Sequence, residues 1–216
     1  MFDINFFEKS YPIKRKIADG LMSARDVDAI EKELENLRSE VPTIFNIETT
    51  NYCNMKCVMC PRTIYMTRKN IWIDDELFER TTDKVKLHTD QNLNEFWNWV
   101  ENEYKQPVGE VSENGFYFSI ISRHLVLHGF GEPFLDKKLI ERLEICKRKK
   151  IPTYFSCTPA TMTVEKAKKA MDAGLGVLKF SLDAMEEKKI QSIRGKRANF
   201  KDSIDKIMQL IEYKKE

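Results

Sequence analysis

The segment TTNYCNMKCVMCPR, residues 49–62, places Cys53, Cys57 and Cys60 on one short stretch of chain. The thiols are spaced C-x3-C-x2-C and follow residues 43–48, whose apolar pattern predicts a β-strand. Three thiolates on one loop can wrap a compact site for a soft metal. A cubane iron–sulfur cluster normally takes four cysteines, so three leave one iron open to another ligand. The spacing therefore predicts a metal centre that can bind a small molecule and pass it an electron.

Two other interpretations of the cysteines are a structural zinc site and three unrelated core residues. Structural zinc normally takes four ligands, often as two separated pairs. No second C-x2-C or H-x3-H pair follows at zinc-finger spacing. The sequence therefore favours an iron–sulfur cluster over zinc.

The length and composition fit a globular protein of one domain, or of one domain with an extension. The chain has 216 residues, of which 42% are hydrophobic, and its formal net charge is +2. Such a small charge gives no electrostatic reason to expect nucleic acid as the main partner. No apolar run is long enough for a membrane span or a signal peptide, so no membrane association is expected. The five cysteines, an odd number, argue against a disulfide framework and favour the reducing cytoplasm.

Strands and helices alternate along the rest of the chain. Further strands are predicted at residues 123–129, 152–157 and 176–182, with helical patterns between them. This alternation predicts an α/β fold with a parallel sheet and right-handed crossovers.

The predicted domain organisation has two parts. Residues 1–41 are expected to form an N-terminal helical extension, with a helix that begins at Ser23, and residues 42–216 to form the core. The first crossover is much longer than the usual unit of roughly 30 residues. We expect an insertion at about residues 66–122, acting either as a peripheral addition or as a lid that selects substrate.

The cysteine loop resembles that of the radical S-adenosylmethionine (SAM) superfamily. Residues 49–51 and 59–62 resemble the branch that includes peptide maturases and sugar- or antibiotic-modifying enzymes. The resemblance implies a partial, TIM-like (β/α) barrel, of which this chain would supply about four βα units. We therefore expect a truncated core, which is either a fragment of a longer protein, the alternative we favour, or a minimal version whose sheet edge needs another partner. The resemblance also implies that Cys53, Cys57 and Cys60 hold a [4Fe–4S] cluster whose open iron binds SAM. Reductive cleavage of SAM would then give a 5′-deoxyadenosyl radical that abstracts hydrogen from a substrate.

Later segments also resemble the SAM-binding elements of this superfamily. The run HGFGEP, residues 128–133, resembles a Gly-Gly-Glu-Pro element, which implies that Gly131 and Glu132 hold the SAM amino group. Residues 180–184 resemble Ser-Ile-Asp-Gly, which assigns Ser181 and Asp183 to the SAM ribose or carboxylate. Arg194, in an Ile-Arg-Gly turn, would pair with the SAM carboxylate, or else is a solvated charge at a helix end.

Two positions depart from the usual pattern of the superfamily. Ser156 lies where a Thr-Asn-Gly-like turn is common, yet its hydroxyl can still face the cofactor. Met59 replaces the commoner aromatic residue, and its polarisable side chain can still cover the adenine ring.

The resemblance implies an enzyme that needs an external electron donor of the flavodoxin or ferredoxin type. The substrate is left open between a peptide, a sugar and a small metabolite, and no residue is assigned to act on it. Whether SAM is consumed or regenerated is also left open. The alternative is an iron–sulfur or metal-binding protein without turnover, a truncated barrel or scaffold.

Overall fold

The computed structural model describes residues 2–105 and 113–215. The chain divides into two compact units, one of residues 1–45 and 85–123, the other of residues 46–84 and 124–216. This division cuts through the predicted insertion, since residues 66–84 lie in the second unit and residues 85–122 in the first. The cysteine loop and the strands all belong to the second unit. Among the described residues, no helix is both long and apolar enough to cross a membrane.

The described helices and strands alternate in the second half of the chain. The helices are α1 (Ile4–Ala18), α2 (Val27–Glu35), α3 (Pro61–Tyr65), α4 (Asp75–Thr82), α5 (Asp90–Asn102), α6 (Glu113–Arg123), α7 (Leu139–Arg148), α8 (Val164–Asp172), α9 (Glu187–Arg194) and α10 (Phe200–Lys215). The strands are β1 (Leu125–Val126), β2 (Thr153–Cys157) and β3 (Val177–Phe180).

The first unit is a helical assembly around aromatic side chains. The ring of Phe7, from α1, meets the rings of Phe96 and Trp99 of α5 edge to face, with centroids 6.2 and 5.8 Å apart. Helix α1 begins at Ile4 because Asp3 accepts a hydrogen bond from the Phe6 amide at 2.9 Å. The predicted helix start at Ser23 is wrong, because the Ser23 hydroxyl accepts from the Arg25 amide in a local turn and α2 begins only at Val27.

The second unit is built on a small parallel sheet in the order β1-β2-β3. Leu125 pairs with Thr153, and Tyr154 pairs with Val177, which confirms three parallel strands near the predicted positions. The prediction for residues 123–129 was too long, because Arg123 ends α6 and β1 has only two residues. Helices lie between the strands, and the sheet is open in the part of the chain that is described. This arrangement agrees with a partial α/β barrel.

The predicted strand at residues 43–48 is wrong as a strand. A single parallel bridge, Asn46 to Val126, keeps this segment beside β1. Farther along, the backbone pairs with another segment instead, since the Ile73 amide donates to Thr49 at 2.9 Å and Thr50 forms an antiparallel bridge to Trp72. The chain therefore leaves the sheet edge just before the cysteines.

The buried side chain of Arg142 joins the segment before the cysteines to helix α7. Arg142, on α7, is 2% exposed and donates to the carbonyls of Thr49, at 3.2 Å, and Ile73, at 2.7 Å. Its charge is balanced by the fully buried carboxylate of Asp136. The guanidinium therefore fixes the backbone that leads into the cysteine loop.

We expect Arg142→Met to lower the free energy of unfolding by about 3–5 kcal/mol, because the substitution leaves the Asp136 carboxylate buried without its partner. Urea unfolding monitored by circular dichroism measures the change. Lys169→Met, which breaks an exposed ion pair with Glu165, is the matched control and should cost little. Equal losses in the two variants would contradict the anchoring role.

Candidate functional site

The three cysteines surround one small apolar cluster. Cys57 is buried together with Met55, Ile190 and Ala198, and Cys53 and Cys60 pack against the same cluster. The loop turns back on itself, because the Cys60 amide donates to the Cys57 carbonyl at 3.2 Å. The apolar side chains thus shield one side of the thiols from water.

The ends of the cysteine loop are tied by polar contacts. The Asn51 side chain accepts from the Ile71 amide at 2.7 Å and donates to the Lys69 carbonyl at 2.9 Å. The backbone carbonyl of Asn51 accepts a hydrogen bond from Nε of Arg62 at 3.0 Å. Asn51 therefore connects the segment before the cysteines to the one after them.

The donor set of this loop fits an iron–sulfur cluster in its chemistry. Cysteine sulfurs are the ligands that such clusters take, and all three lie around one apolar cluster. Over residues 2–105 and 113–215, however, no group of three or more His, Cys, Asp or Glu side chains is arranged to hold a metal ion. Burial also raises the pKa of the Cys53 thiol. Loading the site therefore requires the thiols to lose protons and to approach one another.

Gly131 packs directly against the cysteine loop. A Cβ atom at this position would lie 1.8 Å from the Thr50 carbonyl oxygen, so no other residue fits. The next amide, of Glu132, donates to the Tyr52 carbonyl at 2.6 Å. The close approach seen in the structure is to the protein's own backbone, and the predicted contact of Gly131 with the SAM amino group stays a prediction.

The Glu132 carboxylate is buried beside the cysteine loop. Its oxygens accept from the amides of Thr158, at 3.0 Å, and Phe134, at 3.4 Å. Burial nevertheless dominates and raises the pKa of Glu132 to about 7. A cation placed beside this carboxyl group would favour its charged form, so the group is suited to bind an ammonium.

Ser156 and Ser181 meet at the carboxyl ends of β2 and β3. Their hydroxyl oxygens are 2.9 Å apart, and the Ser156 amide donates to Nδ1 of His128 at 3.2 Å. Burial, together with the nearby charge of Lys179, lowers the pKa of His128 to about 4, so its ring is neutral and carries its proton on Nε2. The pair of hydroxyls and this imidazole form a polar row at the sheet edge.

Asp183 and Arg194 form an ion pair with two hydrogen bonds, one of them 3.0 Å long from Nη2 to Oδ1. The Arg194 side chain is only 17% exposed, and its Nη1 lies 3.7 Å from the Cys57 sulfur. The guanidinium is therefore held within the site and is not a solvated helix-end charge.

The remaining predicted residue is Met59, and two further cysteines lie outside the loop. Met59 is 53% exposed beside Cys60, so its predicted contact with adenine stays a prediction. Cys146 and Cys157 are buried in the core, and burial raises the pKa of Cys146 to about 12. Neither is a candidate for a thiolate ligand.

One comparison with known proteins identifies a family. A sequence model of the radical SAM superfamily matches residues 47–216. No curated protein matches the chain significantly. One solved structure with a detectable likeness is described as TYW1 with a lysine-pyruvate adduct bound, with 18% sequence identity and a TM-score of 0.39. The alignment covers 72% of this chain and 46% of that chain, so this chain spans less than half of that protein's length.

We expect Gly131→Ala to destabilise the protein by about 3 kcal/mol or more, because the new methyl group collides with the Thr50 carbonyl. Thermal and urea unfolding measure this loss. Gly20→Ala is the control, since its Cβ meets nothing within 4 Å and only its φ of +73° opposes the change. Gly20→Ala should lower the free energy of unfolding by about 1 kcal/mol. A Gly131→Ala variant as stable as Gly20→Ala would contradict the close packing of Gly131 against Thr50.

The raised pKa of Glu132 predicts a specific dependence of the free energy of unfolding on pH in the metal-free protein. Its pKa is raised from 4.5 to about 7 on folding, so the folded state binds the proton more tightly than the unfolded state does. The resulting stabilisation is full below about pH 4.5 and is lost as the pH rises through about 7. Relative to Glu132→Gln, the wild type should lose about 3 kcal/mol between pH 4.5 and 8. A pH-independent difference between the two proteins would show that the carboxyl group titrates normally.

Proposed function

The chain belongs to the radical SAM superfamily, and on that premise we propose that it is an enzyme that cleaves SAM reductively and takes hydrogen from a substrate. This superfamily uses a [4Fe–4S] cluster and SAM. The observation that carries the proposal is the contact between the Arg194 guanidinium and Cys57. It brings the end of α9 to the loop on which Gly131 also rests.

In this proposal Cys53, Cys57 and Cys60 hold the iron. The cluster, when bound, supplies the electron that breaks the SAM sulfonium bond. The apolar side chains of Met55, Ile190 and Ala198 exclude water from one side of the thiols. Exclusion of water strengthens the electrostatic interactions inside the site.

Charged groups on two sides of the loop match the two ends of an amino acid. Gly131 and Glu132 would meet the SAM ammonium, and that cation would lower the pKa of Glu132 from its raised value. Arg194 would share its guanidinium between Asp183 and the SAM carboxylate, because its five donors allow two acceptors at once. The amino and carboxylate groups would thus be oriented together.

Neutral groups would hold the nucleoside part of SAM. The hydroxyls of Ser156 and Ser181 offer a donor and an acceptor to a ribose. Met59, exposed beside the cysteines, offers a polarisable side chain to the adenine ring.

The partners follow from the reaction. We propose an external electron donor of the flavodoxin or ferredoxin type, and a peptide, a sugar or a small metabolite as substrate. All five cysteines are free thiols in the structure, which suits a reducing compartment such as the cytoplasm.

One observation favours a second candidate function. The sheet has three strands and is open in the described part of the chain, so the walls of a substrate pocket are not all supplied by these strands. In this alternative the chain binds a cluster or a metal and does not turn over a substrate.

The test is anaerobic reconstitution with iron and sulfide, chemical reduction with dithionite, addition of SAM and measurement of 5′-deoxyadenosine. We expect product from the wild type and from Cys146→Ala, since Cys146 lies in the core away from the loop. Cys57→Ala should give a loss of 100-fold or more, because the iron loses a ligand.

A bound cluster without cleavage of SAM would favour the second candidate. Stoichiometric zinc with no iron–sulfur absorption would contradict the first candidate and would leave a metal-binding protein without turnover.

A further inference from the structure

The chain around Cys57 and the end of α9 lie side by side. The Val58 amide donates to the Ile193 carbonyl at 2.9 Å. A Cβ atom placed on Gly195 would lie 3.4 Å from backbone and side-chain atoms of Lys56. The residues that flank Cys57 and those that follow α9 therefore share one surface. We call Lys56, Val58, Lys196 and Arg197 the basic surface.

The charge on this surface has one sign. Residues 49–73 include Lys56 and no Asp or Glu, and residues 188–201 contain six Lys or Arg and again no Asp or Glu. Lys56, Lys196 and Arg197 are exposed, and no ion pair or hydrogen bond of their side chains occurs among the described residues. The whole chain has a net charge of only +2, so this is a local concentration of charge.

The carboxylates at the start of α9 and just before it are engaged within the chain, and Asp183 is held by Arg194. Glu186 pairs with Lys189 at 2.8 Å. Glu187 accepts from the Phe200 amide at 2.7 Å and from Gln191. These contacts leave the three cations of the basic surface available to a partner.

An exposed apolar side chain lies among the cations. Val58 is 67% exposed between the buried Met55 and Cys57 on one side and the half-buried Cys60 on the other. An apolar centre with a charged rim is typical of surfaces that bind other proteins. Small contacts of this kind are sufficient for transient electron-transfer complexes.

We propose that the basic surface docks an acidic face of the external electron donor. This inference rests on the proposed function, since it assigns a partner to the same cysteine loop. One electron leaves the reduced partner and one electron enters the cluster, and no bond or proton is transferred. Docking here places the partner next to Cys57, whose two chain neighbours both belong to the surface. Opposite charge on the two proteins raises the rate of their encounter.

A nucleic acid is the competing partner for any basic surface. Proteins that bind single strands combine basic grooves with aromatic side chains on which bases stack. The apolar residue of the basic surface is Val58, which has no ring. The composition of the surface therefore favours a protein partner.

The experiment measures binding of oxidised flavodoxin, a small acidic redox protein, to the reconstituted chain by isothermal titration calorimetry at low and moderate salt. Lys196→Glu/Arg197→Glu should raise the Kd at least tenfold at low salt and flatten its salt dependence. Arg148→Glu/Lys214→Glu changes the net charge by the same amount at exposed positions elsewhere. This matched control should bind within about twofold of the wild type.

Several outcomes would overturn the proposal. Equal weakening in both double variants would mean that net charge alone governs binding. Tighter binding of a fluorescent single-stranded RNA than of flavodoxin, lost in Lys196→Glu/Arg197→Glu, would assign the surface to nucleic acid.

Dithionite-driven cleavage of SAM, measured in parallel, tests the proposed function separately. It should be unchanged in Lys196→Glu/Arg197→Glu, because dithionite needs no docking surface. Its failure in the wild type would remove the proposed function while leaving the binding result readable.

Discussion

The contact of Gly131 with the Thr50 carbonyl is the constraint on which the rest of the site depends. No side chain fits between the two backbones, and the Glu132 amide closes the contact by donating to Tyr52. This arrangement fixes the turn after β1 onto the start of the cysteine loop. Because Arg142 holds the Thr49 carbonyl from the other side, the entry to the loop is fixed at two adjacent residues. The position of the thiols relative to the sheet follows from these contacts.

An acidic and a basic side chain, Glu132 and Arg194, lie beside the cysteine loop. Glu132 is buried with a raised pKa, which leaves it ready to accept a cation. Arg194 is held by Asp183 and reaches the Cys57 sulfur, which leaves donors for an anion. A zwitterion such as an amino acid would satisfy both groups. This complementarity links the local electrostatics to the proposed binding of SAM.

The cysteine spacing and the strand ends were readable from the sequence because both are local patterns. Three thiols within eight residues and apolar runs before Ser156 and Ser181 need no knowledge of distant contacts. The role of Arg142 was not readable, because its partners at Thr49 and Ile73 are backbone carbonyls far away in sequence. The prediction of a strand at residues 43–48 was wrong for the same reason, because distant backbone contacts are not visible in the sequence. The apolar pattern of this segment cannot reveal that the chain turns to pair with residues 71–73.

The central claim is that Cys53, Cys57 and Cys60 hold a [4Fe–4S] cluster with one iron open to SAM. Electron paramagnetic resonance of the reconstituted, reduced protein, recorded with and without SAM and supported by iron and sulfide analysis, tests it most directly. We expect about four iron and four sulfide per chain, as the cluster formula requires, and a change in the spectrum when SAM is added. A spectrum that SAM leaves unchanged, or a protein that takes up zinc in place of iron, would contradict it.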